Sequence, residues 1–378
     1  MEAYHLSAIC KMTGGVLKGH VGSDQEIREI LTDSRRLLLA EGTLFVALKT
    51  AKNDGHAFIG DLVAKGVRNF MVSDLPQGWQ QQVPGVAFIL VADTLASLQQ
   101  LAALHRKKYD LPVVAITGSN GKTIIKEWLY QLLMDRKNIV RNPRSYNSQI
   151  GVPLSVLQIH AFHELGIFEA GISQPGEMEN LQQIIQPDVG IFTNIGPAHD
   201  EGFATTEEKI EEKLQLFTNC RGLIYCLDHY VLASQIARWH KDNPSVRLFG
   251  WSYLPGASMQ VLSVHKEESH TLMHLHYEKQ DFFFTIPFTD QASVENALHC
   301  LAFLFMAGFS NEWVSERMLQ LQPVAMRLEM KEGINNCLII NDSYNSDLNS
   351  LSIALDFMNA QSRYTKSTLI LSDILQSG

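Results

Sequence analysis

Val113-Val114-Ala115-Ile116-Thr117-Gly118-Ser119-Asn120-Gly121-Lys122-Thr123 is the stretch on which the reading of the fold turns. Its first five residues are mostly β-branched or small, the pattern of a strand covered on both faces. After it, apolar residues recur at 124, 125, 128, 129, 132 and 133, the stripe of a helix packed on that strand. Between strand and helix, Gly118, Ser119, Asn120 and Gly121 let the backbone curl until successive N–H groups and the helix N-terminus face one anion. Lys122 adds a positive charge there, and Thr123 adds a hydroxyl suited to Mg²⁺. The pattern G-x-x-x-x-G-K-[ST] is not met in full, because Ile116 stands where its first glycine belongs. A plain glycine turn with an exposed Lys122 is the alternative. The strand before and the helix after favour a shortened P-loop that cradles a triphosphate.

Working outward, the carboxyl ends of the next two strands are where ligands bind in an α/β sheet. Leu165-Gly166-Ile167-Phe168 reads as a strand ending in Glu169, which places a carboxylate beside the phosphate loop as a Mg²⁺ ligand or water-positioning group. Val189-Gly190-Ile191-Phe192-Thr193 reads as another, followed by Asn194-Ile195-Gly196-Pro197-Ala198-His199, which brings His199 to the same edge. Thr205-Thr206-Glu207-Glu208 is a capping box opening a helix to Phe217. On that helix Lys213 neighbours the inward face, and from the residues alone it is a snorkelling surface lysine. The polar segment from Arg141 to Pro153, with Asn147 and Ser148, is a loop rich in side-chain donors and a candidate substrate lining.

Towards the N-terminus, Asp33-Ser34-Arg35 either presents a hydroxyl and a guanidinium to a phosphate or sugar, or is a capped turn. Asp54-Gly55-His56 is open in the same way, between a site and a turn with a structural histidine. Towards the C-terminus, the alternating Thr271-Leu272-Met273-His274-Leu275-His276-Tyr277 and the run Phe282 to Phe288 predict an antiparallel appendage. A long apolar helix from Ala292 to Ala307 carries Glu295 and Asn296 near its start. After Pro323 an α/β pattern restarts: strand Cys337 to Ile340, loop Asn341 to Asp347, helix Leu348 to Met358, strand Thr368 to Leu371. The chain stops at Gly378, too soon for a doubly wound domain of the usual ~100 residues, so a truncated last domain is expected. The expected division is 1–92, 93–323 and 324–378.

Composition bounds the function. The 378 residues suffice for two or three domains. A net charge of −9 argues against a nucleic-acid partner. Neither a targeting signal nor an apolar run of membrane-spanning length stands out, so no membrane insertion is expected. Cys10, Cys220, Cys226, Cys300 and Cys337 are odd in number and lack metal spacing, which reads as reduced, mostly packing thiols in a cytoplasmic protein.

The series Thr117 to Thr123, Asn147 to Pro153, Glu169-Ala170-Gly171, Thr193 to His199 and Lys213-Leu214-Gln215-Leu216-Phe217 resembles, in content and order, the Mur ligases of peptidoglycan synthesis. Asp342-Ser343-Tyr344-Asn345, with Asp33-Ser34-Arg35 and Asp54-Gly55-His56, points within that family to the ligase that adds D-alanyl-D-alanine. The resemblance covers nearly the whole chain. It implies an α/β protein of three domains: one for the UDP part of the substrate, a central P-loop ATPase on a mostly parallel sheet, and a Rossmann-like C-terminal domain, here truncated. It implies ATP and Mg²⁺ as cofactors, and UDP-MurNAc-tripeptide and D-Ala-D-Ala as small-molecule substrates joined through an acyl phosphate.

By the same resemblance Thr123 and Glu169 match Mg²⁺ positions, His199 a further metal ligand, and Lys213 a lysine that such ligases carbamylate to help bind a second Mg²⁺. Asn296 matches the asparagine on adenine, Arg327 the hinge arginine that reaches the nucleotide, and Asp342 and Asn345 the nucleotide-facing loop of the last domain. Ser34, Arg35, Asn147 and Ser148 fall in the substrate-binding segments. Asn147-Ser148, Ser346-Asp347 and Lys49 to Asn53 depart from the usual family pattern at the peptide, nucleotide and uridine contacts. In some bacteria this ligase is fused at its C-terminus to an alanine racemase, and Asp342 to Leu351 has the style of such a fusion. The rivals are a sister Mur ligase, a folylpolyglutamate-synthase-like ligase, and a fragment that binds nucleotide without turnover.

Overall fold

A computed structural model of the chain describes residues 1–19, 24–50, 53–78, 85–196, 202–334, 337–343, 348–359 and 366–371. Two compact units interleave along the sequence: Met1–Leu111, Val140–His163 and Gln183–Ile185 form the first, and Pro112–Ile139, Glu164–Gln182 and Gln186–Gly378 the second.

Five strands of the first unit, β1 (Val16–Gly19), β2 (Glu29–Leu31), β3 (Thr43–Val46), β4 (Asn69–Val72) and β5 (Ala87–Leu90), lie in the order β1-β5-β4-β3-β2. Neighbours are parallel except β1 with β5. Phe45, Phe70 and Phe88 fill the core below them with Ile59 and Leu62 from the helix Ile59–Ala64. The helix Thr94–Arg106 starts where the Asp93 carboxylate accepts from the N–H groups of Leu95 and Ala96, an N-cap satisfying two otherwise orphaned donors. Its last turn buries His105, hydrogen-bonded to Tyr4 Oη at 2.5 Å and to the Ile159 carbonyl at 3.0 Å. Burial pushes the His105 pKa down to about 4, so the ring is neutral at pH 7.

Eight strands of the large sheet lie wholly in the second unit: β6 (Val113–Thr117), β7 (Leu165–Glu169), β8 (Val189–Phe192), β9 (Gly222–Cys226), β10 (Arg247–Ser252), β11 (Met259–Lys266), β12 (Thr271–Tyr277) and β13 (Gln280–Ile286). Their order is β13-β12-β11-β10-β9-β8-β6-β7. From β7 to β11 all neighbours are parallel, and β11, β12 and β13 form the expected antiparallel appendage. The chain leaves β6 for β7 on one side and then crosses to β8 on the other. That reversal opens a crevice at the carboxyl ends of β6, β7 and β8. The helices Lys122–Leu133 and Gln291–Met306 contribute Trp128, Leu129 and Leu132, and Leu298, Leu301 and Leu304, to one continuous core against the sheet.

Past the core, β14 (Glu329–Glu332) and β15 (Leu338–Asn341) form an antiparallel pair, and the helix Leu348–Asn359 follows. The strand expected at Thr368 to Leu371 does not form: residues 366–371 are in no regular element. Strand backbone needs a neighbour to take its N–H and C=O groups, and no described residue pairs with this segment. No helix among the described residues is long and apolar enough to cross a membrane. Cys220, Cys226 and Cys300 are buried, with thiol pKa values pushed up by burial, as packing thiols should be.

Candidate active site

Backbone conformation builds the loop first. Gly118 has φ +137° and Gly121 φ +84°, values that residues with a Cβ rarely adopt. Space forbids a side chain at both as well: a Cβ on Gly118 would lie 2.0 Å from Thr193 Oγ1, and one on Gly121 2.3 Å from Asn296 Oδ1. The loop is tied to the segment after β8. Ser119 N donates to the Asn194 carbonyl (2.9 Å), Asn120 N to Asn194 Oδ1 (3.0 Å), and Thr193 Oγ1 to the Asn120 carbonyl (2.6 Å). Behind Thr193 its carbonyl meets Nε2 of the buried His299, whose Nδ1 receives the Trp251 indole N–H. Burial holds His299 at a pKa of about 4, so Nδ1 accepts and Nε2–H donates. The Lys122 ammonium folds over the loop onto the carbonyls of Gly118 (2.7 Å) and Ser119 (2.8 Å).

Beside the loop, Glu169 ends β7 and is fully buried. Thr123 Oγ1 donates to its Oε2 at 2.9 Å, bringing together the two oxygens read as Mg²⁺ positions. Lys126 Nζ lies 3.4 Å from its Oε1 and 3.2 Å from Glu127 Oε1. Lys126 lies off the apolar stripe of its helix, and nothing in the sequence singled it out. It is buried because the first turns of that helix lie against the strand end that carries Glu169.

The helix Thr206–Leu214 is capped by Thr205, whose hydroxyl accepts from Glu208 N, as expected. Lys213 does not snorkel. It is 2% exposed, and its Nζ lies 3.4 Å from the Gly118 carbonyl. Burial first, and then the charges of Lys122 and Lys209, hold the Lys213 pKa well below the ordinary lysine value. Lys209, one turn earlier and equally buried, donates to the Gly196 carbonyl at 2.6 Å. Its i, i+4 spacing from Lys213 was the available signal, masked by the acidic residues around it.

The remaining predicted residues divide. Asn296 stands against Gly121, in the loop's own wall. Arg327 and Asp342 are brought near one another rather than shown at the loop: Asp342 Oδ1 accepts from Leu328 N at 3.1 Å, at the end of the β14–β15 pair. His199 and Asn345 lie outside the described residues. In the first unit, Asp33 caps a turn, Ser34–Arg36, and takes the Arg35 guanidinium by two bonds of 2.9 Å each. Arg36 contacts the hydroxyl of Tyr146 and lies over its ring, so the turn and the loop holding Asn147 and Ser148 meet. Sequence reading did not single out Arg36, nor Tyr146 within its polar loop; the two are 110 residues apart. Ser148 Oγ accepts from Gly151 N at 3.2 Å and so supports the start of the helix Gly151–Val156. His56 is structural: Nδ1 bonds Asp54 (2.6 Å) and Nε2 accepts from Ser73 N (3.1 Å).

The profile described as the Mur ligase middle domain matches residues 116–304, the span from the P-loop strand through the long apolar helix. The chain belongs to the Mur ligase family. Among its Mur ligase relatives, a UDP-N-acetylmuramoyl-tripeptide–D-alanyl-D-alanine ligase of Bacillus subtilis is 29% identical, over 98% of this chain and 78% of its own length. The Escherichia coli protein of the same name is 26% identical, over 100% of this chain and 81% of its own. In the solved structures, MurF from Acinetobacter baumannii superposes with a TM-score of 0.84 at 27% identity, covering 96% of this chain and 77% of that one. The mostly parallel α/β sheet is thus the Mur ligase architecture.

Proposed function

We propose that this Mur ligase joins D-alanyl-D-alanine to UDP-MurNAc-tripeptide at the expense of ATP, in the cytoplasm. The observation that carries the reading is the meeting of Lys122, Thr123 and Glu169 around a glycine loop at the sheet's reversal point. The activity for which the Bacillus subtilis and Escherichia coli relatives are named supports the choice of substrates. In this reading the tripeptide's terminal carboxylate oxygen attacks the γ-phosphorus, ADP leaves, and an acyl phosphate forms. The dipeptide amine then attacks the acyl carbon and forms the C–N bond, and the tetrahedral intermediate collapses by breaking its C–O bond to phosphate, which leaves with the proton given up by the amine. The protein's part is positioning and charge neutralisation rather than covalent catalysis. Lys122 leaves its two loop carbonyls for the β- and γ-phosphates, and the loop N–H groups cradle them.

A hard divalent cation fits the donors on hand, a hydroxyl and a carboxylate 2.9 Å apart. Among the described residues no set of three or more His, Cys, Asp or Glu is arranged to hold a metal, so Thr123 and Glu169 would bind Mg²⁺ with help from phosphate oxygens and His199. Bound there, Mg²⁺ supplies positive charge against the transferring phosphoryl group. Lys213, whose charged form is disfavoured by burial and by the charges of Lys122 and Lys209, is the amine that would take up CO₂ as a carbamate and so offer a carboxylate to a second Mg²⁺. Asn296, Arg327, Asp342 and Asn345 face the nucleotide in this assignment. Ser34 and Arg35 face the UDP end of the substrate, and Asn147 and Ser148 its peptide. The three-part division 1–92, 93–323 and 324–378 is proposed on the same footing.

Phosphate release from ATP and Mg²⁺, with UDP-MurNAc-tripeptide and each candidate amine in turn, tests the function. D-Ala-D-Ala-dependent release with the pentapeptide as product is the expected result. Equal release with other amino acids, or release without any muramyl substrate, would overturn it.

A further inference from the structure

We infer that Lys126 is a positioning residue of the phosphoryl-transfer site, holding one oxygen of Glu169 so that the other stays with Thr123. The inference rests on the reading of Glu169 and Thr123 as metal ligands. Glu169 and Lys126 are both 0% exposed. Taking an ammonium out of water costs several kcal/mol, whereas a methionine of similar volume carries no such cost. Burial of this charge therefore needs a reason beyond packing. The geometry supplies one.

The two carboxylate oxygens of Glu169 are divided, Oε1 to Lys126 (3.4 Å) and Oε2 to Thr123 (2.9 Å). The Glu169 backbone is pinned in register with Ile116 of β6, so the carboxylate can stray only by its side-chain torsions. Lys126, one helical turn after Lys122, limits those torsions through its contact with Oε1. Glu127 takes the same ammonium at 3.2 Å with its side chain partly exposed, which leaves the three side chains at a formal charge of −1 before a divalent cation binds.

Positioning and bystander roles differ in sign. An ammonium that merely sits near a metal ligand repels the cation, so removing it should tighten metal binding. An ammonium that aims the ligand should weaken binding when removed. Mn²⁺ affinity, read from the electron paramagnetic resonance of free Mn²⁺ with the full chain and a non-hydrolysable ATP analogue, separates the two. Lys126→Met is expected to weaken Mn²⁺ binding about tenfold or more, the scale seen when a group orienting a metal ligand is lost. Lys126→Arg keeps the charge but moves the donors, and should weaken binding about threefold.

Unchanged or tighter binding in Lys126→Met overturns the inference. If that variant does not fold, unchanged binding in Lys126→Arg does so. Glu127→Gln keeps the Lys126–Glu169 contact and should hold affinity within about threefold; a loss as large as that of Lys126→Met would also overturn it. Glu169→Gln separates the two readings. If it binds Mn²⁺ like the parent, the metal assignment itself fails. If it alone loses Mn²⁺ while both Lys126 variants keep it, only the positioning role fails.

Discussion

Two loop clusters, one in each unit, hold their charges in opposite ways. At the carboxyl edge of β6 and β7, Lys126, Glu169, Lys209 and Lys213 are all 2% exposed or less, and each has a named partner. In the first unit the side chains of Arg35 and Arg36 are 87% and 61% exposed. In the first case charges act at short range in a poor dielectric, where each displaced partner is costly. In the second, water and salt screen them. The lesson is that the edge around the glycine loop fixes its charges by buried partners, while the turn at Ser34–Arg36 holds itself in shape by its own ion pair and leaves its guanidinium groups in water.

The sharpest test of that difference is Gly118→Ala. Its Cβ would meet Thr193 Oγ1 at 2.0 Å and the Asn194 carbonyl at 2.9 Å, at a φ an alanine resists. We expect a loss of about 4 kcal/mol in stability or, if the loop yields instead, loss of nucleotide binding. Thermal unfolding and titration with an ATP analogue measure both, and a variant normal in each would show that the edge is not rigid.

A second prediction asks whether burial, rather than the unit, sets the cost. His105 in the first unit and His299 in the second are both neutral, with pKa values lowered from 6.5 to about 4 by burial. Between pH 6.5 and 4 the unfolded chain takes up protons that the folded one refuses, so stability must fall as pH falls through that window. Above 6.5 neither group contributes a slope. The full shift corresponds to on the order of 3 kcal/mol per histidine. Denaturant midpoints of His105→Gln and His299→Gln against pH should each show a shallower slope than the parent. If only the His299 variant, beside the glycine loop, did, the comparison would be one of units after all.

Arg36→Ala should have the smallest effect. The contact with Tyr146 joins exposed groups, so stability should change by less than about 1 kcal/mol. In the proposed function the KM for the UDP substrate should rise a few-fold, roughly that same energy, with kcat and the KM for ATP unchanged. A fall in kcat as large as that of a P-loop variant would place Arg36 in the chemistry and break the contrast.

Much of the edge was legible. The glycine spacing, the apolar strand before it and the helical stripe after it located the loop, because each reflects a local backbone demand. Glu169 was legible because a carboxylate ending an apolar run has nowhere to point but the sheet's ligand-binding end. Lys126 was not, since burial of a polar residue off the apolar stripe depends on what a distant strand puts opposite it. Lys213 was misread from its residues as a snorkelling lysine, and only the fold shows it buried, with Gly118 and Lys122 beside it. The pairing of Arg36 with Tyr146 left no local signal at all.

By itself, then, the sequence determined the α/β alternation, the place of the glycine loop between strand and helix, the cap of the helix beginning at Thr206, and the antiparallel end of the sheet. These are set by steric and hydrogen-bonding rules acting over a few residues, or by side-chain periodicity. Tertiary structure alone decided which charges lie out of water and which oxygen faces which cation. The energy of a charge depends on neighbours and dielectric, and at Glu169 those are supplied by β6, β7 and a helix turn that meet only once the sheet has closed.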